Sequence, residues 1–182
     1  MIKHVLVFLI GWAVLASPAL AWNQPDRFQG VRWDASTADA RKIAADRGEP
    51  FRFCFEAFPY QVCSTSAAVG PVDSTILFLF RDDKLVSGQL SFKASDFDAM
   101  KTQFIERYGP PTTQVEEPFD TKDAMKSVNR VLRWGGNAVL IELRAHGGGS
   151  VEMGTASIAT KPEADRVAAE RAKAKPKGKR ER

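Results

Sequence analysis

Residue types that build catalytic and metal centres are scarce in this chain. Its 182 residues include two cysteines and two histidines. One histidine, His4, belongs to the short positive start that precedes an N-terminal apolar run, which leaves His146 alone in the run His146-Gly147-Gly148-Gly149. A general base needs a partner to orient it. None is readable, and His146 reads as a solvated loop residue. Cys54 and Cys63 have no His or acidic partners at ligand spacing, so they form no metal site. They also lie too far apart, and away from a helix start, for a thioredoxin-like redox pair. The glycine run opens onto a strand and lacks a following Lys-Ser/Thr, which excludes a phosphate loop. Beyond residue 15 no apolar run approaches the roughly 20 residues needed to cross a bilayer, and no internal repeat is present. No catalytic residue, cofactor or metal is therefore assigned, and the chain is expected not to be an enzyme. The enzymatic alternative is a hydrolase whose carboxylate pair, with Glu142 and Glu152 as examples, the sequence does not locate.

What is present begins with an export signal. Met1-Ile2-Lys3-His4 is a short positive start, Val5 to Leu15 is apolar apart from Gly11, and Ala16 to Ala21 ends in small residues. This pattern predicts a cleaved secretory signal peptide over residues 1–21, cut between Ala21 and Trp22. Trp22 rather than Cys follows the cut, so no lipoprotein-type lipid and no transmembrane anchor are expected afterwards. The signal looks bacterial, which places the mature protein in the periplasm or outside the cell.

Residues 22–160 are enough for one domain with a sizeable core. The clearest unit runs from Asp73 to Pro111. Ile76 to Phe80 is an apolar run suited to a strand covered on both faces, and Arg81-Asp82-Asp83-Lys84 is a turn. Val86, Gly88, Leu90 and Phe92 then alternate with Ser87, Gln89, Ser91 and Lys93 as a half-buried strand. Ser95 with Asp98 predicts a capping box. Phe97, Met100, Phe104, Ile105 and Tyr108 form one helical face, and Gly109-Pro110-Pro111 ends the helix. Upstream, Ser36 and Asp39 predict a second capping box for a helix closing at Gly48, with Trp33 plugging the core before it. Downstream, Thr112 to Ser127 reads as a polar connector. Asn129 to Trp134 and Ala138 to Ala145 read as a hairpin around Gly135-Gly136-Asn137, and Val151 to Ile158 as a last strand. The fold expected is α+β, an antiparallel β-sheet packed on one face by two helices, in the order α-β-β-β-β-α-β-β-β.

Phe51, Phe53, Phe55 and Ala57 alternate with Arg52, Cys54 and Glu56, and a second strand follows from Tyr60 to Ser66. A hairpin turning at Phe58-Pro59 sets Cys54 opposite Cys63, within disulfide range. An exported protein should carry this pair oxidised. Residues 161–182 change character. Nine Lys and Arg stand against four Asp and Glu there, net +5, whereas residues 22–160 carry net −2. This basic tail is expected to be largely disordered. Lys173, Lys175, Lys177, Lys179, Arg180 and Arg182 are its candidate contacts to anionic lipid or wall polymer. The compartment excludes nucleic acid as a partner.

The segments Gly30-Val31-Arg32-Trp33-Asp34-Ala35-Ser36 and Tyr108-Gly109-Pro110-Pro111, with Arg133-Trp134 and the strand Val139 to Leu143, resemble small exported bacterial envelope proteins of unknown function. Those proteins open a helix after a G-x-x-W pattern and close one at Y-G-x-P; Asp34 stands where the pattern usually has Gly. The helix-then-antiparallel-sheet layout is loosely similar to that of the BamE and β-lactamase-inhibitor-protein group. The resemblance implies export and this layout, and no role is carried over from it. The function expected is a non-enzymatic periplasmic binding or envelope-assembly accessory protein. It would meet another envelope protein through the open face or an edge of its sheet. The alternative is a tether to anionic envelope surfaces through the tail.

Overall fold

The computed structural model of the chain describes residues 22–120 and 126–174. Residues 1–21, over which a signal peptide ending at Ala21 is expected, and Lys175, Lys177, Lys179, Arg180 and Arg182 of the tail, lie outside the described residues. The chain enters through a two-stranded ribbon, β1 (Arg27–Phe28) and β2 (Val31–Arg32), and reaches helix α1 (Thr37–Asp46). Between them Asp34 has φ +66°. Glycine is least strained there and Asp is among the few tolerated substitutes, a physical reason for a glycine at this point of the pattern. Helix α1 starts as its sequence predicts. Ser36 Oγ accepts from the Asp39 N–H at 3.1 Å and donates to Asp39 Oδ2 at 2.7 Å.

Four antiparallel strands follow: β3 (Phe53–Ala57), β4 (Tyr60–Val69), β5 (Val72–Arg81) and β6 (Lys84–Lys93). Cys54 lies opposite Cys63 in the β3–β4 pair and the disulfide is formed, S–S 2.04 Å, as suits an oxidising compartment. The β5–β6 turn holds Asp82 and Asp83 at φ 53° and 56°, the twist that two-residue hairpins require. The register slips between Leu79 and Phe80. Leu85 rather than Val86 therefore joins Gly88, Leu90 and Phe92 on the core face.

A 3-10 turn, Ala94–Asp96, leads into α2 (Phe97–Tyr108). The capping box expected at Ser95 is absent, because the tight turn moves the helix start past it. Ser95 Oγ bonds Asp96 Oδ1 at 3.3 Å instead, and Asp98 pairs with Arg130 at 3.0 Å. Gly109, at φ +85°, ends the helix as expected.

Strands β7 (Thr113–Asp120), β8 (Lys126–Gly135), β9 (Val139–Arg144) and β10 (Met153–Thr160) complete the sheet, and helix α3 (Lys161–Ala174) follows. Two expectations are corrected here. The stretch taken as a polar connector contains β7, paired with β8 from Thr113↔Arg133 to Phe119↔Ser127. The order after α2 is thus four strands, not three. The tail expected to be largely disordered begins as α3. Its Pro162 lies in the first turn, where no N–H is missed. Lys161–Asp165 and Arg166–Glu170 pair at i,i+4.

The eight strands run in the order β3-β4-β5-β6-β10-β9-β8-β7, all antiparallel. Strand β10 inserts between β6 and β9, joining two meanders into one sheet. Helices α1 and α2 pack on one face over a single core, as expected. Phe28 meets Phe78 edge-on at 5.1 Å, and Phe104 meets Trp134 at 5.8 Å. Trp134 donates its indole N–H to Gly109 O at 2.8 Å, and Trp33 packs partly buried against the same core. The third helix, α3, lies on the opposite face.

Candidate functional site

Side chains that alternate with the core residues face away from α1 and α2. Leu79 of β5, Ser87 and Gln89 of β6, Ala159 of β10, and Leu140 and Glu142 of β9 lie on this second face. Helix α3 crosses above them and leaves a groove of about 1020 Å³, walled by Ala164, Val167, Ala168 and Arg171. The floor and wall are mostly small or aliphatic, with hydroxyl and amide groups between. This is the usual make-up of a binding cleft.

One buried carboxylate docks the helix. Glu163 is 1% exposed, and Arg166 donates to both of its oxygens, at 2.7 and 3.1 Å. Arg81 at the end of β5 reaches Glu163 Oε2 at 3.1 Å. The Tyr60 hydroxyl donates to Glu163 and accepts from Arg166. Burial works against the charged carboxylate, yet Arg166, Tyr60 and Arg81 outweigh it and hold the Glu163 carboxyl below its ordinary range. Burial, and next the bond to Glu163, push the Tyr60 phenol up to about 12.

At the groove's β8–β9 end a closed square of charges ties three strands together. Arg133 contacts Glu117 at 2.5 Å and Glu142 at 2.7 Å, and Arg144 contacts the same two carboxylates at 3.2 and 2.6 Å. Burial opposes the Glu142 charge, but the bonds from Arg144 and Arg133 prevail and lower its pKa. The bond from Arg133 does the same for Glu117. A carboxylate held ionised by two guanidiniums is a poor proton donor. Glu142 therefore serves in a fixed lattice of charge, and Glu152 lies exposed ahead of β10, apart from the groove lining.

The remaining residues of interest are scattered. Cys54 and Cys63 sit on the core side of β3 and β4, outside the groove lining. Lys173 is exposed in the last turn of α3. Trp22 donates its indole N–H to Gly135 O at 2.8 Å. His146 departs from the solvated loop residue expected. Its backbone is clamped by Asn129 at 2.7 and 2.9 Å, its ring lies 5.6 Å from Phe119, and its Nδ1 is shielded from solvent. No group of His, Cys, Asp and Glu among the described residues is arranged to hold a metal ion. Among the same residues no helix is long and apolar enough to cross a membrane.

Sequence reasoning missed the Glu163, Tyr60, Arg81 and Arg166 cluster. The one signal for it was the helical spacing of charges in the tail. No family model, curated protein or solved structure matches this chain.

Proposed function

We propose that the protein is a non-enzymatic binding module of the bacterial periplasm that receives a segment of another envelope protein in the groove beneath α3. The groove itself carries the reading: about 1020 Å³, open along a helix docked at its first turn, with aliphatic walls and fixed charges. The floor strands use their backbone hydrogen bonds within the sheet, so the occupant is met by side chains. An amphipathic segment fits, its apolar side on Leu79, Leu140 and Val167, its polar side toward Gln89 and Arg171. The acidic groups at hand are locked in ion pairs, which suits recognition more than proton transfer.

The test is a groove-filling substitution. Ala168 lies on the exposed side of α3 and lines the groove, so Ala168→Trp obstructs it while sparing Glu163. Cross-linking from native envelope extracts should recover a discrete partner with the native protein, and about tenfold less with the variant. Equal recovery with both would refute the groove as the docking place. The competing reading is the electrostatic tether, which the exposed Arg171 and Lys173 of α3 favour. It predicts a capture indifferent to Ala168→Trp and lost as salt rises.

A further inference from the structure

At the rim of the core, where α2 meets the turns between β1 and β2 and between β4 and β5, the packing leaves a pocket of about 380 Å³. This is the size of a small-molecule site. It lies on the helix-covered face of the sheet and shares no lining residue with the groove beneath α3. Its floor is apolar. Leu90 of β6 and Ile158 of β10 rise from the core face of neighbouring strands, and Phe104 of α2 and Val69 at the end of β4 close the sides. On α2, Phe104 is followed at i+3 by Arg107 and at i+4 by Tyr108, so one side of the helix brings both to the pocket.

The polar residues of the lining are of two kinds. Arg47 is engaged by Glu49 at 3.2 Å, and Gln103 donates to Glu106 at 3.2 Å. Arg107 and Tyr108 are not engaged. Arg107 forms no ion pair among the described residues, and its guanidinium lies over the Tyr108 ring, 5.6 Å from the centre. Tyr108 is 5% exposed, yet its hydroxyl makes no hydrogen bond to a described residue. Buried polar groups are as a rule bonded, so this phenol calls for an acceptor. Burial raises its pKa against the pull of the Arg107 charge, which keeps the group a donor. A carboxylate answers both residues, since it accepts the O–H bond and pairs with the guanidinium. Glu106 at the mouth weighs against a ligand of higher negative charge.

We propose that this pocket binds a small monocarboxylate with an aliphatic body. Its carboxylate is held by Arg107 and the Tyr108 hydroxyl, and its chain lies on Val69, Leu90, Phe104 and Ile158. The site uses neither the groove nor α3, and so stands or falls apart from the binding function proposed for them.

Octanoate is the probe, and octanamide, of the same shape without the charge, is its control. Each is titrated into the mature, oxidised protein while the backbone amides are followed by NMR. Octanoate should give saturable shifts at Val69, Leu90, Phe104 and Ile158, and bind about tenfold tighter than octanamide. Arg107→Gln should weaken octanoate about tenfold and leave octanamide within about twofold, because the charge pairing alone is lost. Tyr108→Phe should weaken both ligands about threefold or more, since both offer the hydroxyl an acceptor. Ala168→Trp, which obstructs the groove, should change neither. Arg107 is exposed and Phe keeps the Tyr108 ring, and circular dichroism with the thermal midpoint checks that each variant folds. The proposal is overturned by the absence of saturable shifts up to about 10 mM octanoate, or by shifts confined to the groove residues Leu79, Leu140 and Val167. Equal affinity for the two ligands, or native octanoate affinity in either the Arg107 or the Tyr108 variant, would overturn it as well.

Discussion

Gly88 has no side chain because the Phe28 ring occupies the place one would take. Phe28 is itself packed edge-on against Phe78 at 5.1 Å, which leaves it little room to withdraw. Gly88→Ala is expected to destabilise the protein by about 1–3 kcal/mol, read as a lower thermal midpoint. Phe28→Leu in the same background should recover part of the loss. The period of two in β6 was enough to put Gly88 on the buried face; what fills the space above it comes from β1 and was not legible. Glu163 shows the same limit, because Tyr60 and Arg81 approach it only through the sheet. Its lowered pKa adds docking stability that is full at neutral pH and lost as pH falls from the ordinary carboxylate range through the folded value. The raised pKa of Tyr60 acts with the opposite sign. Its contribution is present below 10.0 and lost as pH rises through about 12. Helicity and protease resistance of α3 should thus fall at both ends of the pH scale. Glu163→Gln should remove the acid limb and cost about 1–3 kcal/mol by taking away the charge that Arg166 and Arg81 pair with and putting an amide N–H in place of one of its two oxygens; Tyr60→Phe should remove the alkaline limb.

At the level of elements, legibility followed how much of the stabilisation was local. Helix α1 declared itself through Ser36 and Asp39, and the β5–β6 hairpin through paired aspartates that tolerate positive φ. Strand β7 did not, since TQVEEPFD has few β-formers and is held by β8 from one side. Helix α3 did not either, because a chain rich in Ala, Lys and Glu folds only where a tertiary contact, here Glu163, fixes it. Strand β3 is an intermediate case. Its cysteines predicted the register, while the outward turn of Phe53 and Phe55 required knowing which face the helices cover. With β4 as its single neighbour, β3 depends on the Cys54–Cys63 link more than any central strand does. Closing so short a loop contributes at most about 3 kcal/mol. Replacing both cysteines by alanine should speed amide exchange at Phe53 to Ala57 first, while β5 and β6 keep their protection. Equal acceleration across the sheet would show that the bond supports the whole fold instead of its edge.

For the molecule as a whole, one face of the sheet is sealed and the other is half closed. The sealing of the first was visible as apolar periodicity in α2, β6 and β9. The groove on the second was not, because it is assembled from small and ordinary residues between Tyr60 and Ala172, none unusual in its local context. The placement of α3 also changes where the tail begins. A chain cut after Thr160 loses Glu163 and one wall of the groove, whereas a chain cut after Ala174 keeps both and loses eight residues that include Lys175, Lys177, Lys179, Arg180 and Arg182. The two cuts therefore separate what a single deletion of the basic segment would confuse. Ending at Ala174 should leave the thermal midpoint and partner capture at their native values. Ending at Thr160 should bare Leu79, Leu140 and Ala159, raise the binding of a hydrophobic dye, and abolish capture at every salt concentration. If ending at Ala174 already abolishes capture, the groove is not the partner's site and the lysines and arginines beyond it are, because a helix still docked through Glu163 would have kept the groove intact.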